Sequence, residues 1–346
     1  MSGECQPTKL LVILGPTSSG KSALSIDVAK RWNGEIISAD SRQVYRGMDI
    51  GTGKVPKDTL QQTTDNESQE ISGAALSAVR CELYVSGGIP HHLLDVADPN
   101  DGYNISHFLR DTRAAIGGIA SRGKLPIVCG GTGFWIQALV EHQTLPNIPP
   151  DPALREALAS KTPEELFGML ERLDPERAKT VDQKNPRRLI RAIEIARDPN
   201  NTPRITNHES QNNQTTKQPN NQLLLALCPP KDILDAKIKT RLDARFAEGM
   251  IEEVARLHTE GVSWERLDAF GLEYRWISRY LRGMISEQDM NERLFFDSIH
   301  YAKRQMTWIR RWKKSNSDLH IVETKENALA LTEEFLKKEN GEQLSP

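Results

Sequence analysis

Five apolar residues, Leu10–Leu14, run straight into Gly15-Pro16-Thr17-Ser18-Ser19-Gly20-Lys21-Ser22, and no other stretch constrains the chain as much. The octet fits G-x-x-x-x-G-K-[ST], a loop that joins a buried strand to a helix. Its glycines let backbone N–H groups turn inward around a phosphate, and the helix that follows points its positive end at the same place. Lys21 adds a point charge, and the Ser22 hydroxyl can ligate Mg²⁺. The junction predicts an α/β chain that binds a phosphate or diphosphate here. It does not say what happens to that phosphate, and an ordinary glycine-rich turn is the alternative.

The chain has 346 residues, enough for a large core without staples. Its 45 Lys and Arg nearly balance 47 Asp and Glu, so net charge neither supports nor excludes nucleic acid. Four cysteines, Cys5, Cys81, Cys129 and Cys228, form no C-x-x-C pair. Cys129 and Cys228 lie in apolar runs and are expected in the core, usage that fits a reducing compartment. The N-terminus lacks the pattern of a signal peptide. The longest clean apolar run, Leu223–Cys228, is too short to span a bilayer. A soluble cytoplasmic protein without membrane partners is expected.

Along the chain, Leu24, Val28 and Trp32 show helical spacing, and Gly34 stops that helix. Glu35–Ser38 reads as a strand that delivers Asp40, Ser41, Arg42 and Gln43 to its carboxyl end, where ligands sit in open α/β sheets. Asp40 is either a turn aspartate capping local backbone or a residue facing that ligand. A short helix near Ala74–Val79 is expected within a polar stretch. His91–Asp95 reads as a strand. Adjacent histidines there point to opposite faces and cannot easily share a metal. Asn104 caps a helix to about Ala120. Leu125–Cys129 is a buried strand ending in Gly130-Gly131-Thr132-Gly133, where Thr132 either serves tight packing or faces the same crevice as Lys21.

Proline breaks the α/β alternation at 143–152, and three short helical patterns follow, at Pro152–Ala159, Pro163–Arg172 and Pro175–Thr180. A helix from Asn185 carries Arg187, Arg188 and Arg191 near its start, against its dipole; an anionic partner or a solvated face explains them equally. Residues 198–222 read as a flexible polar segment, and Leu223–Cys228 returns to the sheet. Beyond Lys231 an amphipathic stripe runs from Ile233 to Leu257, with Arg241 and Arg245 one turn apart beside it. Ser286 and Asp289 open a long helix towards Trp312. Glu273–Lys314 holds ten Lys/Arg against five Asp/Glu, a local net of +5. Its Tyr301-to-Trp312 stretch mixes bases with aromatics, as an RNA surface would; core aromatics with solvated cations outside are the competing reading. Leu319–Val322 and Lys325–Lys338 read as an edge strand and a closing helix.

Six segments taken together resemble the tRNA dimethylallyltransferases, also called tRNA isopentenyltransferases. They are GPTSSGKS at 15–22, SADSRQVYRGMDIGTGK at 38–54, HHLLDVADP at 91–99, GGTGFW at 130–135, NPRRLIRAIEI at 185–195 and AKRQMTWIRR at 302–311. The resemblance implies a P-loop, nucleotide-kinase-like parallel sheet flanked by helices. Its core would comprise 1–141 and 187–346, and an all-helical insertion, 142–186, would touch the anticodon stem-loop. It implies transfer of a dimethylallyl group from dimethylallyl diphosphate to N6 of adenosine-37, beside the anticodon. The products are N6-dimethylallyladenosine and diphosphate. Mg²⁺ is needed, tRNA is the partner, and a monomer is expected.

By the same resemblance Asp40 is the base, Thr132 lies near the reacting centre, and Arg241 closes over the diphosphate. Gly15 to Ser22 bind that diphosphate, with Mg²⁺ on Ser22. Contacts to tRNA fall to Asp40, Ser41, Arg42, Gln43, Arg155, Arg187, Arg188 and Arg191, and on the long helix to Lys303, Arg304, Gln305, Thr307, Trp308 and Arg310. The chain departs from the family's Gly-Tyr-[Lys/Arg] motif at Ala269–Arg275, where Glu273 and Tyr274 stand. An ATP phosphotransferase and an RNA-binding NTPase module remain as rivals; the full set of motifs around the cradle speaks against both.

Overall fold

A computed structural model describes residues 9–58, 84–143, 146, 148–198 and 221–338. The expected helix at 74–79 and most of the polar stretch 198–222 lie outside these residues, as do Cys5 and Cys81. Four strands are buried on both faces, three of them apolar runs and one carrying a paired Glu35. These are β1 (Leu10–Leu14), β2 (Gly34–Ser38), β5 (Leu125–Gly130) and β6 (Gln222–Leu227). With β3 (Tyr84–Ser86), β4 (Ile89–His92) and β7 (Leu319–Val322) they form one sheet in the order β3-β4-β2-β5-β1-β6-β7. Every pairing is parallel except the β3–β4 hairpin.

Helices α1 (Lys21–Arg31) and α13 (Lys325–Lys337) share a core with the sheet. In it Leu24, Val28, Ala328 and Phe335 pack with Leu11, Ile13, Ile127 and Leu225. Helix α2 (Ile105–Ser121) is capped by Asn104 as expected. Its Phe108 stacks on Trp135 of α3 (Gly133–Val140), ring centres 4.8 Å apart. Cys129 and Cys228 are buried thiols.

β4 ends at His92, earlier than the expected Asp95, because Leu93 (φ 61°) and Asp95 (φ 56°) leave the extended region. The two histidines diverge: the His91 Nδ1 meets the Ile89 carbonyl and the His92 Nε2 meets Glu35. Strand β3 went unread because it begins at the edge of a long polar stretch. The stripe expected from Ile233 to Leu257 is two helices, α8 (Lys231–Ala247) and α9 (Met250–Thr259), broken at Gly249 (φ 95°). Ile233 is exposed; the buried positions are Leu234, Ile238 and Leu242, then Met250, Val254 and Leu257. The chain continues as α10 (Trp264–Phe270), α11 (Leu272–Leu281) and the long α12 (Glu287–Ser315).

Two compact units divide the chain: Met1–His142 with Pro219–Pro346, and Gln143–Gln218. The second holds α4 (Pro152–Leu158), α5 (Pro163–Leu173), α6 (Pro175–Thr180) and α7 (Pro186–Arg197). Its core joins Leu158, Leu166, Leu170 and Ala178 to Leu189, Ala192 and Ile193 of α7. The division expected at 186/187 falls inside this unit, because the apolar face of α7 is what the three shorter helices pack on. Among the described residues no helix is long and apolar enough to cross a membrane.

Candidate active site

The carboxyl ends of β1, β2 and β5 finish in register, with Leu14 opposite Gly130 and Ser38 opposite Cys129. Three loops therefore leave the sheet side by side. The first is the glycine-rich loop 15–20, which turns through Ser18 (φ 60°) and Gly20 (φ 96°) into α1. No side chain caps α1, so its first peptide N–H groups remain for an anion. Ser19 Oγ is buried in this loop and, among the described residues, has no hydrogen-bond partner. Lys21 Nζ donates to the Pro16 carbonyl at 3.2 Å. Burial lowers the Lys21 pKa; Cys129 and Asp40 act to raise it, while Arg241 and Arg245 push it down further. Lys21, Asp40 and Arg241 thus feel one another's charge.

The second loop, after β2, carries Asp40. The turn reading of that residue is seen directly. Its Oδ1 accepts from the Arg42 N–H at 3.0 Å, the turn contact. Among the described residues Oδ2 accepts nothing. Capping one oxygen orients the other. From the third loop, Thr132 Oγ1 accepts from the Ser41 N–H at 3.0 Å, and Thr132 N–H reaches the Ala39 carbonyl at 3.2 Å. The β5 end is thereby fastened beside Asp40.

Helix α8 supplies the facing wall. Arg241 donates to the Gly53 carbonyl at 2.9 Å. Burial and the neighbouring Arg245 lower its pKa to about 10, so it stays charged at neutral pH. Arg245 is buried and pairs at 2.9 Å with Glu273, whose other oxygen holds Arg42 at 2.8 Å. Burial works against the charge on Glu273, but Arg42 and Arg245 together keep its pKa low. Gly53 is required by close approach as well as by its φ of 62°: a Cβ there would lie 1.8 Å from Arg245 Nη2 and 2.1 Å from Arg241 Nη2.

Helix α12 closes the site. Gln305 accepts from the Thr17 N–H at 2.8 Å and donates to the Gly131 carbonyl at 2.9 Å, latching the helix to the first and third loops. A cavity of about 300 Å³ lies between them, walled by Gly15, Thr132, Phe134, Tyr301, Gln305 and Trp308 among others. The helix has a buried face and a basic exposed one. Ala302, Ile309 and Trp312 are buried, while Lys303, Arg304, Thr307 and Arg310 are exposed. A second concavity of about 390 Å³ is lined by His300, Lys303, Arg304, Thr307, Trp308 and Arg311.

Several residues expected to meet RNA are engaged inside the protein. Arg42 is taken by Glu273, and Gln43 donates to the Thr52 and Gly53 carbonyls. In the helical unit, buried Glu194 binds Arg155 at 2.6 Å and Arg191 at 3.0 Å. Arg187 and Arg188 are exposed. Sequence reasoning missed Glu253, Glu273 and the latching role of Gln305. The departure at Ala269–Arg275 was the one signal for Glu273.

Mg²⁺ fits this donor set. The Ser22 hydroxyl offers a hard oxygen, as Mg²⁺ prefers, and the Ser19 hydroxyl, without a partner among the described residues, marks where a phosphate oxygen would be received.

A family model described as IPP transferase matches residues 82–312, and one described as isopentenyl transferase matches residues 8–66. The chain is 35% identical over 333 residues to tRNA dimethylallyltransferase 1 of Geotalea uraniireducens, covering 95% of this chain and 97% of that one. It is 39% identical over 329 residues to tRNA dimethylallyltransferase 2 of Citrifermentans bemidjiense, covering 95% of each. The solved full-length tRNA isopentenylpyrophosphate transferase of Bacillus halodurans is similar with a TM-score of 0.61 at 29% identity, over 95% of this chain and 96% of that one. A eukaryotic dimethylallyltransferase acting on tRNA is similar with a TM-score of 0.75 at 25% identity, over 97% of this chain and 82% of that one.

Proposed function

Since the chain belongs to the tRNA dimethylallyltransferases, the IPP transferase family, we propose that it moves a dimethylallyl group from dimethylallyl diphosphate to N6 of adenosine-37 in tRNA. The family makes it a prenyltransferase that joins this donor to a tRNA adenine; the exact adenosine and the residue roles are our reading. The observation that carries it is the meeting of three features at one sheet end: the uncapped start of α1, the half-capped carboxylate of Asp40, and the charge of Arg241 felt by Lys21.

The exocyclic N6 is a poor nucleophile, since its lone pair is delocalised into the ring, and the base must leave its stack to be reached. Asp40 Oδ2 takes the N6 proton as the N6–C1 bond forms. The C1–O bond to diphosphate breaks with its electron pair going to the leaving oxygen. Lys21, Arg241 and the uncapped peptide N–H groups at the start of α1 receive that charge in place. Mg²⁺, held through Ser22, supplies further neutralisation of the leaving diphosphate when bound. Thr132 keeps Ser41, and so the Asp40 turn, in register. In the sheet unit, exposed Lys303, Arg304 and Arg310 of α12 meet RNA phosphate, and Arg42 is held from within by Glu273; in the helical unit by itself, exposed Arg187 and Arg188 do so, while Arg155 and Arg191 are held by Glu194.

The test offers the protein undermodified tRNA and Mg²⁺ with labelled dimethylallyl diphosphate, and with labelled ATP in parallel. Label enters tRNA from the prenyl donor only. Label from ATP alone, or from neither, overturns the proposal. Asp40→Ala is expected to slow transfer by about 10²–10⁴-fold, the usual worth of a positioned base, with tRNA affinity measured by filter binding nearly unchanged. A comparable loss of tRNA affinity would make Asp40 chiefly a contact residue.

A further inference from the structure

Glu253 lies on α9, outside the cradle, and 5% of its surface is exposed. Its carboxylate is filled by the loop that follows the Asp40 turn. Oε2 accepts from the N–H groups of Asp49 at 2.8 Å and Ile50 at 2.7 Å, and Oε1 accepts from the Gly51 N–H at 3.0 Å. The Tyr274 hydroxyl donates to Oε1 at 2.8 Å. Among the described residues no Lys, Arg or His pairs with this carboxylate. A buried charge without a counter-ion is costly unless such hydrogen bonds satisfy it. The loop and the glutamate therefore hold each other.

This loop also carries the carbonyls that receive the α8 arginines. Gly53 accepts from Arg241 at 2.9 Å, and Gly51 accepts from Arg245 at 3.5 Å. Both guanidinium groups lie directly against Gly53, in the space a Cβ would fill. One face of the 49–53 peptides is pinned by Glu253 and the other aims Arg241.

We infer that Glu253 is a positioning residue for the diphosphate end of the site, acting through the 49–53 loop to preset Arg241. The inference rests on the reading of Arg241 as a diphosphate ligand. Preset groups bind with less ordering cost than groups that must be gathered. Glu253→Gln leaves one acceptor oxygen where four donors converge and turns an NH₂ towards peptide N–H groups. Tyr274→Phe removes a single donor and keeps the carboxylate.

The experiment measures Mg²⁺–diphosphate affinity of the full-length protein by calorimetry, and KM for donor and for tRNA separately. Glu253→Gln is expected to weaken diphosphate and to raise the donor KM by about tenfold, the lower end of what losing an outer supporting contact costs, with the tRNA KM within about twofold. Tyr274→Phe moves the same two quantities less, and it carries the test if the first variant does not fold. Combined with Arg241→Ala, Glu253→Gln is expected to add little, because the residue acts through that arginine. Additive losses, an unchanged diphosphate affinity in both single variants, or equal damage to donor and tRNA would overturn the inference. A wild-type protein that binds diphosphate but transfers nothing would fail the proposed reaction and leave the Glu253 test readable.

Discussion

Trp308 is half-buried on α12 because Gly133 has no side chain. A Cβ on Gly133 would lie 2.4 Å from the Trp308 ring, a separation no packing tolerates. The same indole lines both concavities of the site. Gly133→Ala must displace it, and overpacking of this kind costs about 1–3 kcal/mol. The expected outcome is a lower urea midpoint with an unchanged m-value, together with reduced transfer. An unchanged midpoint would mean that the helix yields without strain. Residues of this sort were legible as a motif and opaque as a mechanism. GGTGFW announces a strand end, but only the approach of α12 from far along the chain shows what each glycine is for. Lys21, Asp40 and Thr132 could be singled out because loops next to strand ends are read locally. Glu253 could not, and Glu273 stood out only through the departure at 269–275: the loop partners each one meets, Gly51 and Arg42, lie 202 and 231 residues away in sequence. In the sequence each is one charged residue on an amphipathic helix, the usual mark of a solvated face.

Among the elements, those with period and caps were readable. Asn104, Asn185 and Ser286 accept from the first turns of α2, α7 and α12, and those helices start where expected. The break at Gly249 was not, because the apolar spacing on its two sides continues as one stripe while the backbone does not. Helix α12 carries two jobs on opposite faces: Gln305 fixes it to the cradle, and its exposed bases present charge. Lys303→Ala is therefore expected to weaken tRNA binding without touching the diphosphate. The slope of log affinity against log salt should fall by about one, the amount for one lost phosphate contact. Binding measured across a salt series checks this, and an unchanged slope would leave Lys303 as a merely solvated cation.

At the scale of the whole molecule, one ion cluster ties neighbouring segments of the sheet unit together. Glu35 on β2 is bound by His92 of β4 at 2.7 Å, and by Arg122 at 2.7 Å and Lys124 at 2.9 Å from the turn between α2 and β5. Burial alone would raise its pKa. The hydrogen bonds from His92, Lys124 and Arg122 overcome this and bring it from the ordinary 4.5 to about 2. A depressed carboxylate stabilises the fold fully above its unfolded pKa, and that contribution is lost as pH falls through the folded value. The loss should run from about pH 4.5 down to about 2. Glu35→Gln should lower the urea midpoint at pH 7, and the gap from wild type should narrow as pH drops through this window. A gap independent of pH would assign the cost to packing. The cradle itself has a different consequence at this scale. An uncapped helix start reads charge and nothing else, so every diphosphate of suitable size meets the same peptide groups with the same welcome. On the proposed reading, choice among donors then falls to the tail each one drags in, for which Phe134 and Trp308, in the wall of the cavity beside the loop, offer apolar surface.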